Sequence, residues 1–261
     1  MGLIFFNGNF FFKKNFFLFS FFFNQNTKKN KKMQTTITLK RQCEYEGEQQ
    51  QTKKLKTSPF FKRTIIDLKD EKSGCWYQNE WLSKFKADEL LTKVKTLKLE
   101  ANPKCMIFSK ECTMHRSVGF FSNECNEYKY TGQSSKAETS PDWLEELIEK
   151  VNFSLNTKFN AVLINYYKDG SDYISAHSDK KDELFNGTVA CISLGSPRTF
   201  QIISKDLIDG HKLDIGIQTG HGQLLVMEKE MQTYFKHGIP KSNTLVGPRY
   251  SLTFRCHKKT K

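Results

Sequence analysis

The order of apolar and polar positions changes texture near the middle of the chain. In "KADELLTKVKTLKLE", Leu90, Leu91, Val94 and Leu97 recur at helical spacing, which predicts an amphipathic helix. A second helix is marked by Trp143, Leu144, Leu147, Ile148 and Val151 on one face, with Ser140 at the N-cap and Pro141 at the first helical position. Sustained periodicity begins only with the first of these helices. Between them, residues 105–133 read as short strands and turns rich in aromatic side chains. Beyond the second helix come short β runs: "FNAVLINYY", "TVACISLG", "RTFQII", "LDIGIQ", "QLLVME" and "RYSLTFR". Bounded by Gly, Pro, Asp and Asn, they predict a mainly β, α+β chain: a β-sandwich or jelly roll with supporting N-terminal helices.

Composition changes that picture mainly at the N-terminus. Residues 1–32 are Phe, Asn and Lys with little else, and Lys13 and Lys14 break the apolar runs before any reaches the length of a membrane helix. This segment is either a presequence or a mis-called start with Met33 as the true first residue. Residues 33–63 are polar and basic and read as a disordered arm, which leaves 64–261 as the folded domain. The formal net charge of +13, in part carried by that arm, points to an anionic partner, nucleic acid before a membrane surface or an acidic protein. Seven cysteines without a Cys-x-x-Cys pair argue against a zinc ribbon or a secreted disulfide framework.

Candidate chemistry starts in "NYYKDGSDYISAHSDKK", where His177 and Asp179 stand two residues apart. His237 in "YFKHGIPK", placed near a strand end or turn, is the best third ligand. Two imidazoles and one carboxylate make the facial triad that holds non-haem Fe(II) and leaves positions open for cosubstrate and oxygen. His211 and His221 lie in Gly-containing loops and read as solvated turn histidines; His115 and His257 have no supporting context. In "RYSLTFR" strand alternation puts Arg249, Ser251, Thr253 and Arg255 on one face and Tyr250, Leu252 and Phe254 on the other. The two arginines, about 20 Å apart along the backbone, are able to converge on a short dicarboxylate, one fork at each end. Asn165 and Tyr167 share a face in the same way and add an amide and a phenol.

With these motifs, "LINYYKDGSDYISAHSD", "SLG", "LLVM…HGIP" and "RYSLTFR", the chain from about Gln78 to Arg255 resembles the AlkB family of Fe(II)- and 2-oxoglutarate-dependent nucleic-acid demethylases, nearest the eukaryotic DNA-repair members. The resemblance implies a double-stranded β-helix (jelly roll), with Fe(II) held by His177, Asp179 and His237 and with 2-oxoglutarate and O2 as cosubstrates. Arg255 and Asn165 would stand beside the carboxylate at the iron end; Arg249, Tyr167 and Ser251 would hold the distal carboxylate, with Thr253 supporting. The implied reaction removes methyl groups from 1-methyladenine and 3-methylcytosine in DNA. The alternatives are the same chemistry on RNA, a metal-free jelly-roll binding module and a protein hydroxylase. A flipped or single-stranded base is required, since a base inside a duplex cannot reach a buried metal. Residues 105–133 resemble the nucleotide-recognition lid. There Tyr130 is the stacking aromatic, Tyr128 its neighbour, Arg116 a backbone contact and Phe108 a candidate wedge.

Two departures bear on the substrate and one, at Ser251, on the cosubstrate. Lys181 stands where the family commonly has an acid contacting the damaged base, with Asp182 just beyond; Ser251 stands where Asn is commoner. The loop "IPKSNTLVGP" offers only Lys241 as a basic residue for a second strand. A nuclear monomer is expected, or a mitochondrial one if residues 1–32 are a presequence.

Overall fold

The computed structural model describes residues 62–107, 110–125, 127–130, 133–179 and 187–257, all within one compact unit, Pro59–Lys261. Its framework is two antiparallel sheets. The larger contains β1 (Thr64–Ile65), β2 (Ser73–Gln78), β5 (Ser117–Phe121), β8 (Ala161–Tyr167), β10 (Val189–Gly195), β13 (Leu224–Lys229) and β15 (Arg249–Arg255). They run side by side in the order β1-β2-β13-β10-β15-β8-β5. The smaller has the order β12-β11-β14-β9, built from β9 (Ile174–His177), β11 (Arg198–Ser204), β12 (Asp214–Thr219) and β14 (Phe235–Ile239). Two hairpins stand apart, β3 (Lys104–Ile107) with β4 (Lys110–Thr113), and β6 (Glu127–Tyr130) with β7 (Gln133–Lys136). The helices are α1 (Lys84–Val94), α2 (Asp142–Leu155) and a single turn, α3 (Met231–Tyr234).

The alternation of the central strands explains why two cores form. Ala190, Ile192 and Leu194 of β10, Ile164 of β8, and Leu252 and Phe254 of β15 meet α1 and α2 through Ala87, Leu90, Val94, Leu144, Leu147, Ile148 and Val151. The opposite faces look into the space between the sheets. There Tyr167, Val189, Leu225 and Met227 pack against Phe200, Ile202, Ile217 and Ile239. A fully buried aliphatic side chain of this kind contributes about 1.5–3 kcal/mol, so Leu144, at 0% exposure, anchors α2 strongly. This arrangement agrees with the jelly roll expected from the strand pattern.

Three expectations need correction. Ser140 does not cap α2: Pro141 holds the N-cap position, and the buried Ser140 hydroxyl has no hydrogen-bond partner among the described residues. The Ser140 amide donates to Asn123 Oδ1 at 3.0 Å, and the helix begins one residue later than expected. Periodic structure also begins before α1, because β2 pairs with β13 from Leu224↔Gln78 to Lys229↔Ser73. Its burial does not alternate, since Cys75 and Trp76 are both buried, so no period of two appears. Finally, α1 stops at Val94, and Leu97 reaches the core from the turn that follows.

Candidate metal centre

β9 and β14 are antiparallel partners, and their register sets His177 directly opposite His237. His237 therefore lies within a strand rather than at its end, which corrects the sequence reading. "FKHGI" lacks a run of β-formers, but Gly238 suits a close strand: a Cβ there would lie 2.7 Å from the Ile174 carbonyl oxygen. Asp179 follows β9 by two residues. One ligating atom from each of His177, Asp179 and His237 falls within 4.8 Å of the others.

Each ligand is held by neighbours. His177 Nδ1–H donates to the Ser175 carbonyl at 2.9 Å, which leaves Nε2 facing Asp179 Oδ1 at 3.9 Å. The His237 ring stacks on Phe200, centroids 5.5 Å apart and planes 15° apart. The Asp179 amide donates to Gln232 Oε1 at 2.9 Å, and Ser178 Oγ donates to the Phe235 carbonyl at 2.7 Å. Arg255 clamps the Asp179 carboxylate, Nη2 to Oδ1 at 2.9 Å and Nε to Oδ2 at 3.1 Å.

The electrostatics suit metal binding. Burial, helped by the neighbouring His177, pushes the His237 imidazole down to about 3. His177 is also lowered, by burial against the pull of Asp179. Burial alone would raise Asp179, but the Arg255 guanidinium and the two imidazoles outweigh it and hold the carboxyl at about 2. At neutral pH the cluster is two neutral imidazoles and one carboxylate, the protonation state a divalent ion requires. The His237 Nδ1 is buried without a hydrogen-bond partner among the described residues. This donor set fits Fe(II).

A cavity between the sheets joins the two triad histidines, His177 and His237, to the last strand. Arg249, Ser251, Thr253 and Arg255 line it, with Asn165 and Tyr167 from β8, while Tyr250, Leu252 and Phe254 lie on the opposite side in the helix-facing core. Arg249 is 1% exposed; Nη2 donates to Ser193 Oγ at 2.9 Å, and Nε and Nη1 have no partner among the described residues. A buried fork with two nitrogens, Nε and Nη1, unspent fits one end of a dicarboxylate. The Arg249 guanidinium lies 5.4 Å from the Tyr167 ring centroid. Ser251 Oγ is 3.0 Å from Cys191 Sγ. Thr253 pairs with Cys191 across β10.

The substrate-side residues divide. Arg116 is not a surface group: it is 4% exposed, lines the cavity and donates from Nε to Asn165 Oδ1 at 2.8 Å. Tyr128 and Tyr130 lie on β6, and their side chains are outside the described set. Phe108, Lys181 and Asp182 fall outside the described residues. His221, read as a solvated turn residue, accepts from the Gly195 amide at Nδ1 and pairs with Asp88 at Nε2.

Sequence reasoning missed Gln232, Phe200, Cys191 and Arg198. Gln232 follows Met231 in a one-turn helix with no amphipathic pattern to flag it. Arg198, next to Pro197 at the start of β11, had one signal, a basic residue opening a strand that alternates buried and half-buried positions.

Comparison with known proteins follows the same lines. The bovine "DNA oxidative demethylase ALKBH2" is 32% identical over 154 residues, which cover 57% of this chain and 55% of that protein. The mouse protein of the same name is 30% identical over 157 residues, 58% of this chain and 66% of its own length. Mouse "Alpha-ketoglutarate-dependent dioxygenase alkB homolog 3" is 31% identical over 138 residues, 49% of this chain and 48% of its own length. The chain thus spans about half to two-thirds of the curated relatives it matches. The solved structure of OsALKBH1 superposes with a TM-score of 0.50 at 11% identity, covering 69% of this chain and 97% of that one, a likeness of fold alone. The family model of the 2OG-Fe(II) oxygenase superfamily matches residues 74–255, a stretch that holds the triad and the arginine strand, so the chain, similar to the AlkB homologues above, belongs to that superfamily.

Proposed function

We propose that this protein oxidatively demethylates alkylated bases, 1-methyladenine and 3-methylcytosine, in DNA. One observation carries the reading: His177 and His237 of the triad and Arg249, with its unspent N–H groups, line a single cavity. Iron bound to the triad, with 2-oxoglutarate and O2, supplies the oxidation of the N-methyl group. The chain's own part is positional. His177, Asp179 and His237 hold the metal, and Arg255 fixes the Asp179 carboxylate as an anion. Arg249, beside Tyr167 and Ser251, receives the distal carboxylate; Asn165, oriented by Arg116, faces the same cavity. Phe200, Ile174 and Leu163 give that cavity apolar walls that keep water from the reacting atoms.

Nucleic acid as the partner is supported by the curated relatives, two of which are named DNA oxidative demethylases. The formal net charge of +13 supports it independently. The hairpin β3–β4 leads within three residues into Arg116 at the cavity, so a base-handling lid would begin at the mouth of the site. The folded catalytic domain is assigned to residues 64–261, and the protein is taken to act as a monomer in the nucleus. The test is turnover of purified protein, with iron and 2-oxoglutarate, on 3-methylcytosine in single-stranded DNA, duplex DNA and RNA side by side. Formaldehyde release from DNA in preference to RNA is expected. Release from RNA alone would replace this reading with its RNA counterpart.

A further inference from the structure

Arg198 is 2% exposed, yet it lies outside the lining of the metal cavity. Its guanidinium donates to three backbone carbonyls: Asp169 at 2.8 Å from Nη1, and Asp172 at 2.8 Å and Pro240 at 2.7 Å from Nη2. Those carbonyls belong to the two segments that bound the metal-bearing strands. Asp169 and Asp172 lie in the turn from β8 into β9, which carries His177, and Pro240 directly follows β14, which carries His237. The same two segments are tied again where the Ser242 amide donates to the Gly170 carbonyl at 2.8 Å. A Cβ on Gly170 would stand 2.6 Å from the Ser242 carbonyl oxygen, so the two turns are in close contact.

The guanidinium also reaches the cosubstrate end of the cavity. Arg198 Cζ lies 5.7 Å from the centroid of the Tyr167 ring, and Arg249 Cζ lies 5.4 Å from the same centroid. Burying a charge is costly unless its hydrogen bonds are met, and an apolar side chain would fill the space more cheaply. A planar fork serves three carbonyls from two nitrogens while its charge stays within reach of the Tyr167 ring.

We propose that Arg198 is a positioning residue for 2-oxoglutarate: it fixes Tyr167 from outside the cavity and locks the two turns, so that the phenol and Arg249 are preset for the distal carboxylate. The proposal rests on the 2-oxoglutarate reading of the site. Removing Arg198 should therefore weaken cosubstrate binding through Tyr167 and leave the chemical step largely alone.

The experiment is calorimetric binding of 2-oxoglutarate to the full chain loaded with Mn(II) in place of Fe(II), for wild type, Arg198→Lys, Arg198→Met, Tyr167→Phe and the Arg198→Lys/Tyr167→Phe pair. Loss of charge-assisted hydrogen bonds should lower affinity about tenfold or more in each Arg198 variant, and Lys, which keeps the charge, should do less harm than Met. In turnover assays KM for 2-oxoglutarate should rise while kcat at saturation stays within about twofold, because only ground-state positioning is lost. On the Tyr167→Phe background Arg198→Lys should add little, since residues acting through one group are not additive. Wild-type affinity in a folded Arg198 variant, or full additivity with Tyr167→Phe, would overturn the proposal. A measurement without any variant guards against misfolding: 2-oxoglutarate binding to the wild type should slow amide exchange at Ser171 and Ser242, and unchanged exchange there would also overturn it. Failure of the wild type to bind 2-oxoglutarate at all would instead overturn the reading of the cavity itself.

Discussion

Arg249 makes a prediction with two opposite signs. Replacing it by Met removes a buried cation that makes one hydrogen bond, to Ser193, and leaves Nε and Nη1 unpaired among the described residues. Without cosubstrate that cation is a liability, and replacing poorly satisfied buried charge by an apolar side chain commonly stabilises by about 1–4 kcal/mol. With cosubstrate the fork gains a carboxylate, and losing one such buried pair costs about 2–5 kcal/mol, roughly thirtyfold to several thousandfold in affinity. Arg249→Met should therefore melt higher than wild type when both are empty. It should then fail to gain the stabilisation that saturating ligand gives, about 2.7 kcal/mol at a hundred times Kd. Thermal melts of Mn(II)-loaded protein across a 2-oxoglutarate titration measure both effects at once. A variant with wild-type 2-oxoglutarate affinity would show that Arg249 does not hold the cosubstrate. A variant destabilised when empty would show that its unpaired N–H groups are satisfied in solution.

Three other outcomes are expected. His237→Ala should abolish succinate formation while the protein stays folded, checked by turnover and circular dichroism; normal turnover would exclude His237 as a ligand. Stability of the metal-free protein should fall on acidification, because His237 and His257 are held neutral at about 3 and about 4 in the fold and protonate near 6.5 when unfolded. Each lowered histidine costs about 1.4 kcal/mol per pH unit once the pH is well below 6.5 and down to its folded value. The depressed Asp179 opposes nothing in that window, because its contribution is lost only between 3.8 and about 2. Urea melts at pH 7.5 and 5.5 check this, and equal midpoints would contradict it. Asp182→Ala should reduce turnover of 3-methylcytosine in single-stranded DNA while Lys181→Glu does little; wild-type activity in both would show that neither side chain reads the base.

How far the sequence disclosed this site depends on which physical rule placed each residue. Alternation along "RYSLTFR" is a local rule, and it put Arg249, Ser251, Thr253 and Arg255 on one face before any partner was known. The pairing of Arg255 with Asp179, 76 positions apart in the chain, is not local, and no pattern within either segment encodes it. The roles of Gln232 and Arg198 were hidden for the same reason, since both act on backbone groups whose positions only the folded sheets define. Ser140 shows a different failure: the residue type was right for a cap, but the N-cap falls one residue later, on Pro141, and Ser140 is tied to Asn123 through its backbone amide.

The weakest seam of the smaller sheet runs through its metal site. β9 is an edge strand, joined to β14 by two register pairs, His237↔His177 and Ile239↔Ile174, with an irregularity between them. An ion on His177, Asp179 and His237 would therefore rivet an edge strand to its neighbour as well as equip the enzyme. Losing it would let the sheet begin to open at the one place where the ligands must stay in register. Iron starvation would then appear as fraying of β9 as well as lost turnover, with reloading slowed by the need to re-form the pair that holds the ion.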